Sequence, residues 1–571
     1  MKQSRRYIIM AVVLLLVVIV KFSNHDGKNG KVESFRGARL EENIWNPLIA
    51  ASVNEKTLTL TVDNRELTNK EDGIYMDKNL NIMVPFSILS DSFQCSAHLY
   101  EKKKLVLEKH SDVVSFQLEE DTVEVNHKKE NITAPMVQMD GEYYVSAKIV
   151  AEKLNFNYNW NIAENMAIAI NSAEDSIFPL KYDLRDRQRA PDVKNQGPYG
   201  TCWAFAALSA LESILLPEEA CEFSPDHMTL QNGFARKQME GGEYTMGMAY
   251  LAAWQGPVYE KDDPYGDGKS EENLQPVKHI QEMQLLDGKD FEKIKESVFR
   301  YGGVQTAIYS ALQNSAAYSP YYNSKEHAYC YVGAEKPNHE ILIIGWDDTY
   351  PKENFNLEVE DDGAFLCQNS WGEEFGDDGV FYVSYYDVNI GLHSVIYTGI
   401  EETDNYSQIY QSDLCGWVGQ LGYDKESLYG ANVYTAQSEE VLKAAGFYAT
   451  GKETSYELYV VKDFENTDSF EKRIKVAEGS LANAGYYTID FEKECQVREG
   501  ERYAVLLYIT TPGSVHPMAV EYAADDLTDH VDLTDGEGYI SPNGKKWESA
   551  EKDQKCNLCL KVYSDKETGK R

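Results

Sequence analysis

The chain has 571 residues, of which 43% are hydrophobic and 39 are tyrosines. This length exceeds a single hydrophobic core, and the apolar content excludes a chain that is disordered throughout. The formal net charge of −38 excludes nucleic acid as a partner, because phosphate binding needs a basic surface. We therefore expect several folded domains with an acidic, water-exposed exterior.

Residues 1–22 are predicted to be a signal peptide or a membrane anchor. Three cations, at positions 2, 5 and 6, precede an uninterrupted apolar run from Tyr7 to Val20. That charge pattern predicts export of the chain that follows. The run is shorter than the roughly 18 to 20 residues of a membrane span, which favours a signal peptide. The lack of an A-x-A-like cleavage site in the sequence favours the anchor.

Residues 23–54 are polar and predicted to be a linker, and a weak internal repeat follows them. A shift of 61 residues aligns MVPFSILSDSFQCSAHLY with YVSAKIVAEKLNFNYNWN, so that Val84 meets Val145 and Ile88 meets Ile149. Each copy predicts a short strand, a helix with one apolar face and a further strand. Residues 55–172 are therefore predicted to form one small α+β domain.

Helical patterns come first in the next region and strand patterns come later. The helical patterns cover Thr201–Leu216, Met246–Trp254 and Phe291–Tyr301, and the strands include ILIIGW and GVFYVSYY. This order predicts an α+β domain with two layers or lobes. Beyond Asp404, alternating aromatic-rich runs separated by Gly, Pro and Asp turns predict an all-β sandwich over residues 404–565.

The nine cysteines are odd in number and scattered, which is not typical of a disulfide framework. Cys556 and Cys559 have C-x-x-C spacing but lie in a strand pattern, where residues three apart face opposite sides. Neither a second Cys pair nor a His pair completes a zinc set in the sequence. We interpret these cysteines as structural and expect no metal and no other cofactor.

Cys202 lies where a Gly/Pro turn gives way to a helical pattern, in GPYGTCWAFAALSALE. Backbone N–H groups at a helix start lack partners within the helix and carry partial positive charge, which eases ionisation of a thiol. A cysteine that only packs in the core is the alternative.

A nucleophilic cysteine needs a base, a group that holds the base and a donor for the developing oxyanion. His339 begins a strongly apolar strand pattern, and Asn369 follows another short strand in FLCQNSWGEEFG. Gln196 lies six residues before Cys202. Each of these three residues has a structural alternative, as a core histidine or a turn residue, but one site explains all the placements.

His339 and Asn369 follow Cys202 by 137 and 167 residues, against about 130 to 150 expected for the papain arrangement. The segments YDLRDRQRAPDVKNQGPYGTCWAF, NHEILIIGWDD and CQNSWGEEFGDDGVFYVSYYD resemble the three signature blocks of papain-like cysteine peptidases. The resemblance covers residues 178–398. It implies a two-lobe α+β catalytic domain that hydrolyses peptide bonds through an acyl-enzyme, without a metal.

The resemblance also implies residue roles. Cys202 would be the nucleophile, His339 the acid/base, Asn369 the group that orients the imidazole and Gln196 an oxyanion-hole donor. Together with the start of the helix, an adjacent imidazolium is expected to hold Cys202 as a thiolate at neutral pH.

Substrate-binding residues and departures from the family pattern come from the same resemblance. Gly241 and Gly242 resemble the Gly pair that binds extended substrate, with a plain loop as the alternative. Trp371 is assigned to the substrate-binding side, with an ordinary core residue as the alternative. Tyr199 stands where the family has a disulfide cysteine. Glu340 stands where relatives have a small S2 residue, so it either selects a basic P2 side chain or turns to solvent.

The flanking regions resemble two further families. Residues 55–172 look like the copper amine oxidase N-terminal-like domain of Gram-positive surface proteins, which implies a stalk or a pro-region. Despite that name we expect no metal there, because the histidines show no ligand spacing. Residues 404–565 resemble the lectin-like domain of clostridial surface proteases, which implies a cell-wall glycan partner, although Tyr and Trp on a sandwich often pack instead. The acidic stretch Asp525–Gly538 lacks a full calcium register, which favours a solvated loop.

The sequence thus predicts an exported cysteine endopeptidase of a Gram-positive bacterium, either secreted or held at the membrane by its N-terminal segment. Extracellular proteins or peptides would be its substrates. A surface adhesin or carbohydrate-binding protein with an inactive peptidase domain is the alternative.

Overall fold

The computed structural model describes residues 50–566 except 52, 55–56, 64, 111, 162–165, 172–177, 272 and 313–317. The predicted signal or anchor, and the linker up to residue 49, lie outside these residues. Within the described part of the chain, every helix is too short or too polar to cross a bilayer. The described residues divide into two compact units, one with residues up to 54 together with Met76–Leu80, and one with residues 57–75 and those from Asn81 onward.

In the first unit, the Asn54 side chain donates a hydrogen bond to the Met76 carbonyl at 2.9 Å and accepts one from the Met76 N–H at 2.8 Å. All features described below belong to the second unit, apart from the second residue of strand β3.

The small N-terminal domain has two short helices, α1 (Leu89–Phe93) and α2 (Ala147–Lys153). Its strands are β1 (Thr59–Val62), β2 (Arg65–Thr68), β3 (Tyr75–Met76), β4 (Ile82–Pro85), β5 (Ser96–Tyr100), β6 (Lys104–Lys109), β7 (Asp112–Gln117), β8 (Thr122–Val125), β9 (Lys128–Asn131), β10 (Val137–Met139), β11 (Glu142–Ser146), β12 (Phe156–Asn161) and β13 (Met166–Asn171). Strands β5 to β9 form a meander, and β12, β13, β1 and β2 pair in that order.

The predicted repeat is confirmed. The first copy runs from β4 through α1 to β5 and β6, and the second runs from β11 through α2 to β12 and β13. Strands β4 and β11 pair antiparallel with Val84 opposite Val145, the two residues that the repeat aligns. The copies therefore meet at equivalent residues, as two-fold related halves do.

The central domain contains α3 (Cys202–Leu215), α4 (Pro225–Leu230), α5 (Tyr244–Ala252) and α6 (Phe291–Arg300), so the three predicted helices are confirmed within two residues. Its strands are β14 (Lys181–Asp183), β15 (His279–Asp287), β16 (Val304–Ile308), β17 (Tyr322–Asn323), β18 (Ala328–Tyr329), β19 (His339–Asp347), β20 (Ala364–Gln368), β21 (Val380–Ser384) and β22 (His393–Glu401).

Helix α3 and strand β19 form the middle of the central domain. Twelve of the 14 residues of α3 are buried, because small and apolar side chains occupy every face. Eight of the nine residues of β19 are buried, which is typical of a strand covered on both faces. These two elements carry Cys202 and His339 at their first positions.

The C-terminal domain is an all-β sandwich, as predicted. Its strands are β23 (Gln408–Tyr410), β24 (Gly419–Leu421), β25 (Ser427–Thr435), β26 (Glu440–Ala449), β27 (Thr454–Val461), β28 (Ile474–Leu481), β29 (Ala484–Val497), β30 (Arg502–Thr510), β31 (Met518–Glu521), β32 (Gly538–Ser541), β33 (Glu548–Ser549), β34 (Asn557–Leu558) and β35 (Leu560–Lys566). One sheet has the order β28-β27-β30-β25-β32-β33, and its inner face packs on β26 and β35 of the other.

The central and C-terminal domains share one continuous sheet. Strand β15 pairs with β22 on one side and with β29 on the other. Side chains of the sandwich, including Tyr448, Tyr486 and Cys559, join the hydrophobic core of the central domain. Cys556 lies instead in the core of the sandwich, so these two cysteines face opposite sides as predicted. All nine cysteines are free thiols.

The small domain contacts the central domain at the far end of α3. Glu218, just beyond that end, accepts a hydrogen bond from the Leu99 N–H at 2.7 Å. Arg187 pairs with Glu108 at 2.8 Å, and Arg300 pairs with Asp91. Because α3 has 14 residues, the Glu218 contact lies about 20 Å from the start of the helix.

Gly485 sets how closely β29 approaches β15. Its φ is +141°, and a Cβ there would lie 2.1 Å from the Met283 carbonyl oxygen. We expect Gly485→Ala to lower the free energy of unfolding by more than the about 1–3 kcal/mol of backbone strain alone, measured by denaturant unfolding. Gly500→Ala is the control, because Gly500 has φ +76° and its Cβ would meet no described atom within 4 Å. Equal losses in the two variants would contradict the steric account.

Candidate active site

Cys202 is the first residue of α3, as the sequence predicts, and it is 8% exposed. The preceding residue, Thr201, does not cap the helix with its side chain; its hydroxyl instead contacts the Tyr265 hydroxyl at 2.7 Å. Backbone N–H groups in the first turn therefore keep their partial positive charge for another acceptor.

His339 and Asn369 are hydrogen-bonded to each other. The Nε2 of His339 lies 2.8 Å from the Oδ1 of Asn369, which also accepts the Ser370 N–H at 2.8 Å. The Trp371 ring covers the imidazole, with centroids 4.9 Å apart. An amide oxygen at Nε2 selects the tautomer with its proton there, so Nδ1 is the atom able to accept a proton.

Gln196 is held on the same segment through Ser370. Its Oε1 accepts the Ser370 hydroxyl at 2.6 Å, and its backbone N–H donates to the Ser370 carbonyl at 2.8 Å. Its Nε2 donates to the Tyr199 carbonyl at 2.7 Å. Because an amide nitrogen carries two hydrogens, one N–H remains for a developing oxyanion.

Burial shifts the pKa values of Cys202 and His339, the side chains that the sequence predicts to be the nucleophile and the base. It raises the pKa of Cys202 to about 11, although backbone groups of Glu340 and of the helix start act in the opposite direction. It lowers the pKa of His339 to about 4, against the hydrogen bond to Asn369. Burial thus acts against the resting thiolate and imidazolium that the sequence predicts, and this ion pair stays a prediction.

Glu340 is buried, so its predicted turn to solvent is wrong. Its Oε2 accepts the Gln305 amide at 3.3 Å, and Gln305 Oε1 accepts the Tyr397 hydroxyl at 2.7 Å. Burial raises the pKa of Glu340 to about 7, and the nearby Glu243 carboxylate acts in the same direction. The carboxyl group thus changes charge near neutral pH. Its role in the S2 pocket stays a prediction.

Gly241 and Gly242 lie against the turn and helix that carry the nucleophile. A Cβ at Gly200 would lie 2.6 Å from the Gly241 nitrogen, and a Cβ at Gly242 would lie 2.2 Å from Trp203 Nε1. Gly241 also has φ +79°. Only glycines allow this approach. The structure thus brings the predicted pair beside Cys202, and its contact with substrate stays a prediction.

Sequence reasoning missed the buried partners of the site. No local pattern predicts the roles of Ser370, Gln305 and Tyr397, or the ion pair between Lys194 and Glu212 of α3. The available signal is polar residues within a short strand pattern, as with Gln305 in VQTAI.

Three family matches cover most of the described chain. Residues 178–400 match the family described as papain family cysteine protease. The chain carries a papain-family cysteine protease domain. Residues 75–169 match the copper amine oxidase N-terminal domain, and residues 409–564 match the lectin like domain.

The curated relatives match the protease domain. A viral cathepsin of Heliothis zea nuclear polyhedrosis virus is 25% identical over 236 residues, which are 40% of this chain and 58% of the relative. Cathepsin S of Bos taurus is 27% identical over 253 residues, 42% of this chain and 69% of the relative. The chain spans about three fifths of the length of the first curated relatives.

Solved structures match more than one domain. The clostridial cysteine protease Cwp84 after propeptide cleavage has TM-score 0.60 and 24% identity, covering 68% of this chain and 99% of that chain. The cysteine protease and lectin-like domains of Cwp84, a surface layer associated protein of Clostridium difficile, give TM-score 0.58 and 25% identity, covering 68% and 89%. These similarities establish a papain-like fold with an attached lectin-like domain.

Proposed function

We propose that the chain is an exported cysteine endopeptidase that uses Cys202, His339, Asn369 and Gln196. The observation that carries the proposal is the hydrogen bond between His339 Nε2 and Asn369 Oδ1. It occurs in a papain-family domain whose cysteine begins the central buried helix. That bond supports His339 as a base, because it holds the proton on Nε2 and leaves Nδ1 able to accept the thiol proton.

The proposed reaction starts from the neutral pair. Nδ1 of His339 accepts the thiol proton as Cys202 attacks the peptide carbonyl. The free N–H of Gln196 and the backbone N–H of Cys202 stabilise the oxyanion. The imidazolium, held by Asn369, then donates its proton to the leaving amine. Water attacks the acyl-enzyme with His339 as base, which releases the second product and restores the thiol.

Extracellular proteins or peptides are the proposed substrates. The cationic and apolar N-terminal segment supports export, with secretion or membrane anchoring as its two forms. Similarity to Cwp84, described as surface layer associated, supports a place at the cell surface. The net charge of −38 argues against nucleic acid as a partner.

A cell-wall glycan is the proposed partner of the lectin-like domain. Tyr429 and Tyr508 are cross-strand neighbours on β25 and β30, with ring centroids 4.4 Å apart. Both rings are only half-buried, so the pair offers exposed ring surface and hydroxyl groups to a sugar, although Arg473 and Trp547 also contact the Tyr429 ring. The small N-terminal domain is proposed as a stalk, because its hydrogen bond to Glu218 lies at the far end of α3 from Cys202.

The peptidase proposal predicts covalent labelling by an epoxide inhibitor of cysteine peptidases. Under reducing conditions we expect one label on Cys202, found by mass spectrometry, and loss of peptide hydrolysis on labelling. Cys202→Ala should abolish both. Cys221→Ala is the matched control, because Cys221 is a half-buried thiol near the opposite end of α3. Absence of labelling and hydrolysis in the unaltered protein would favour a surface adhesin with an inactive peptidase domain.

The buried carboxyl of Glu340 predicts a pH-dependent choice of P2 residue. With its pKa raised to about 7, Glu340 is mostly neutral at pH 6 and mostly ionised at pH 8. We expect the ratio of kcat/KM for P2-Arg over P2-Leu peptides to rise roughly fivefold between these pH values. A rise of this size is what one screened pair of opposite charges would produce. Glu340→Gln should remove that rise. An unchanged ratio, or the same rise in the variant, would exclude Glu340 from P2 selection.

A further inference from the structure

The loop from Gln231 to Glu243 contacts the lectin-like domain along its first half. The Ala235 N–H donates to the Leu527 carbonyl at 2.9 Å, and the Cys415 thiol donates to the Gly233 carbonyl at 3.1 Å. A Cβ at Gly233 would lie 3.2 Å from the Leu414 backbone, so the two chains are already at close approach. The lectin-like domain therefore fixes the backbone of this loop at two points.

The second half of the same loop contacts the nucleophile helix. The Gln238 carbonyl accepts the Gly200 N–H at 2.8 Å. The Gln238 side chain donates to Asp226 at 2.5 Å and to Thr229 at 2.9 Å. Gly242 then lies directly against the Trp203 indole, one residue beyond Cys202. A shift of the loop would therefore move the Gly241–Gly242 backbone relative to the thiol.

Hydrogen bonds within the lectin-like domain hold its side of the contact in place. Residues 524–528 form a tight turn in which Thr528 Oγ1 accepts the Ala524 N–H at 2.8 Å and Asp525 accepts the Leu527 N–H at 2.9 Å. The Leu527 side chain packs against the core of the protease domain. Cys415 is fixed through its own N–H, which donates to the buried Glu521 carboxyl at 2.7 Å. The turn and Cys415 therefore act as a fixed support.

We infer that the lectin-like domain helps to shape the substrate cleft, with Leu527 and Cys415 as positioning residues for the Gly241–Gly242 loop. The inference rests on the proposed peptidase function. It assigns the lectin-like domain a role in binding extended peptides, besides any glycan. Substrates that reach only the scissile-bond residue do not need this loop, so their hydrolysis should not depend on the support. Longer substrates lose affinity when the loop shifts, because bound geometry is sensitive to small displacements.

The test compares two substrates in the full chain. One is an amide with a P1 residue only, and the other is a peptide amide that spans P4 to P1. For Leu527→Ala and Cys415→Ala we expect KM for the longer substrate to rise roughly five- to tenfold, with kcat changed less than about twofold. The P1-only substrate and the rate of iodoacetamide alkylation at Cys202 should change less than twofold. Val515→Ala, 51% exposed on the same domain, is the control and should change nothing.

Two outcomes would overturn the inference. Unchanged KM for the longer substrate in both variants would show that the loop keeps its position without the support. Equal losses on both substrates, with slower alkylation, would show general damage, which melting temperatures would reveal as partial unfolding. Failure of the peptidase proposal is distinguishable, because the unaltered protein would then hydrolyse neither substrate and take no epoxide label.

Discussion

Residues 194–196 lie antiparallel to residues 370–372, and the candidate active site depends on that short contact. Asn195 and Trp371 form a bridge, and Gln196 exchanges backbone and side-chain bonds with Ser370. The same Ser370 supplies the N–H that fixes the Asn369 oxygen. The proposed oxyanion donor Gln196, the proposed orienting residue Asn369 and the Trp371 indole therefore come from two segments that are hydrogen-bonded to each other. Neither segment would form the site alone, because Gln196 lies on one segment and the Ser370 that holds it lies on the other.

Burial around that contact has two consequences. It raises the pKa of Cys202 and lowers the pKa of His339, which favours the neutral form of each side chain. It also raises the pKa of Glu340, the residue after His339, to about 7, so that its carboxyl changes charge near neutral pH. A neutral imidazole, oriented by Asn369, is the base from which the proposed reaction starts.

Local signals in the sequence predict most of the fold and the principal site residues. Cys202 at a helix start, His339 at the start of β19 and Asn369 just after β20 each follow from a pattern of a few neighbouring residues. Long-range partners could not be predicted. The pairing of Ser370 with Gln196, the Gln305–Tyr397 bond and the join between β15 and β29 depend on tertiary register, which no local period encodes. The burial that raises the pKa of Cys202 could not be predicted for the same reason, because it is a property of the packed core.

The most direct test of the account is steady-state hydrolysis by Ser370→Ala, because this change removes the bond to Gln196 and leaves every proposed catalytic side chain in place. Loss of an oxyanion-hole donor lowers kcat by about 100- to 1000-fold, and loosening one should lower it by at least about tenfold. The account predicts that fall with KM changed less than about threefold. Ser394→Ala, a buried serine bonded to the Thr306 hydroxyl at 3.1 Å, should change neither constant. An unchanged kcat in Ser370→Ala would contradict the claim that this contact assembles the site.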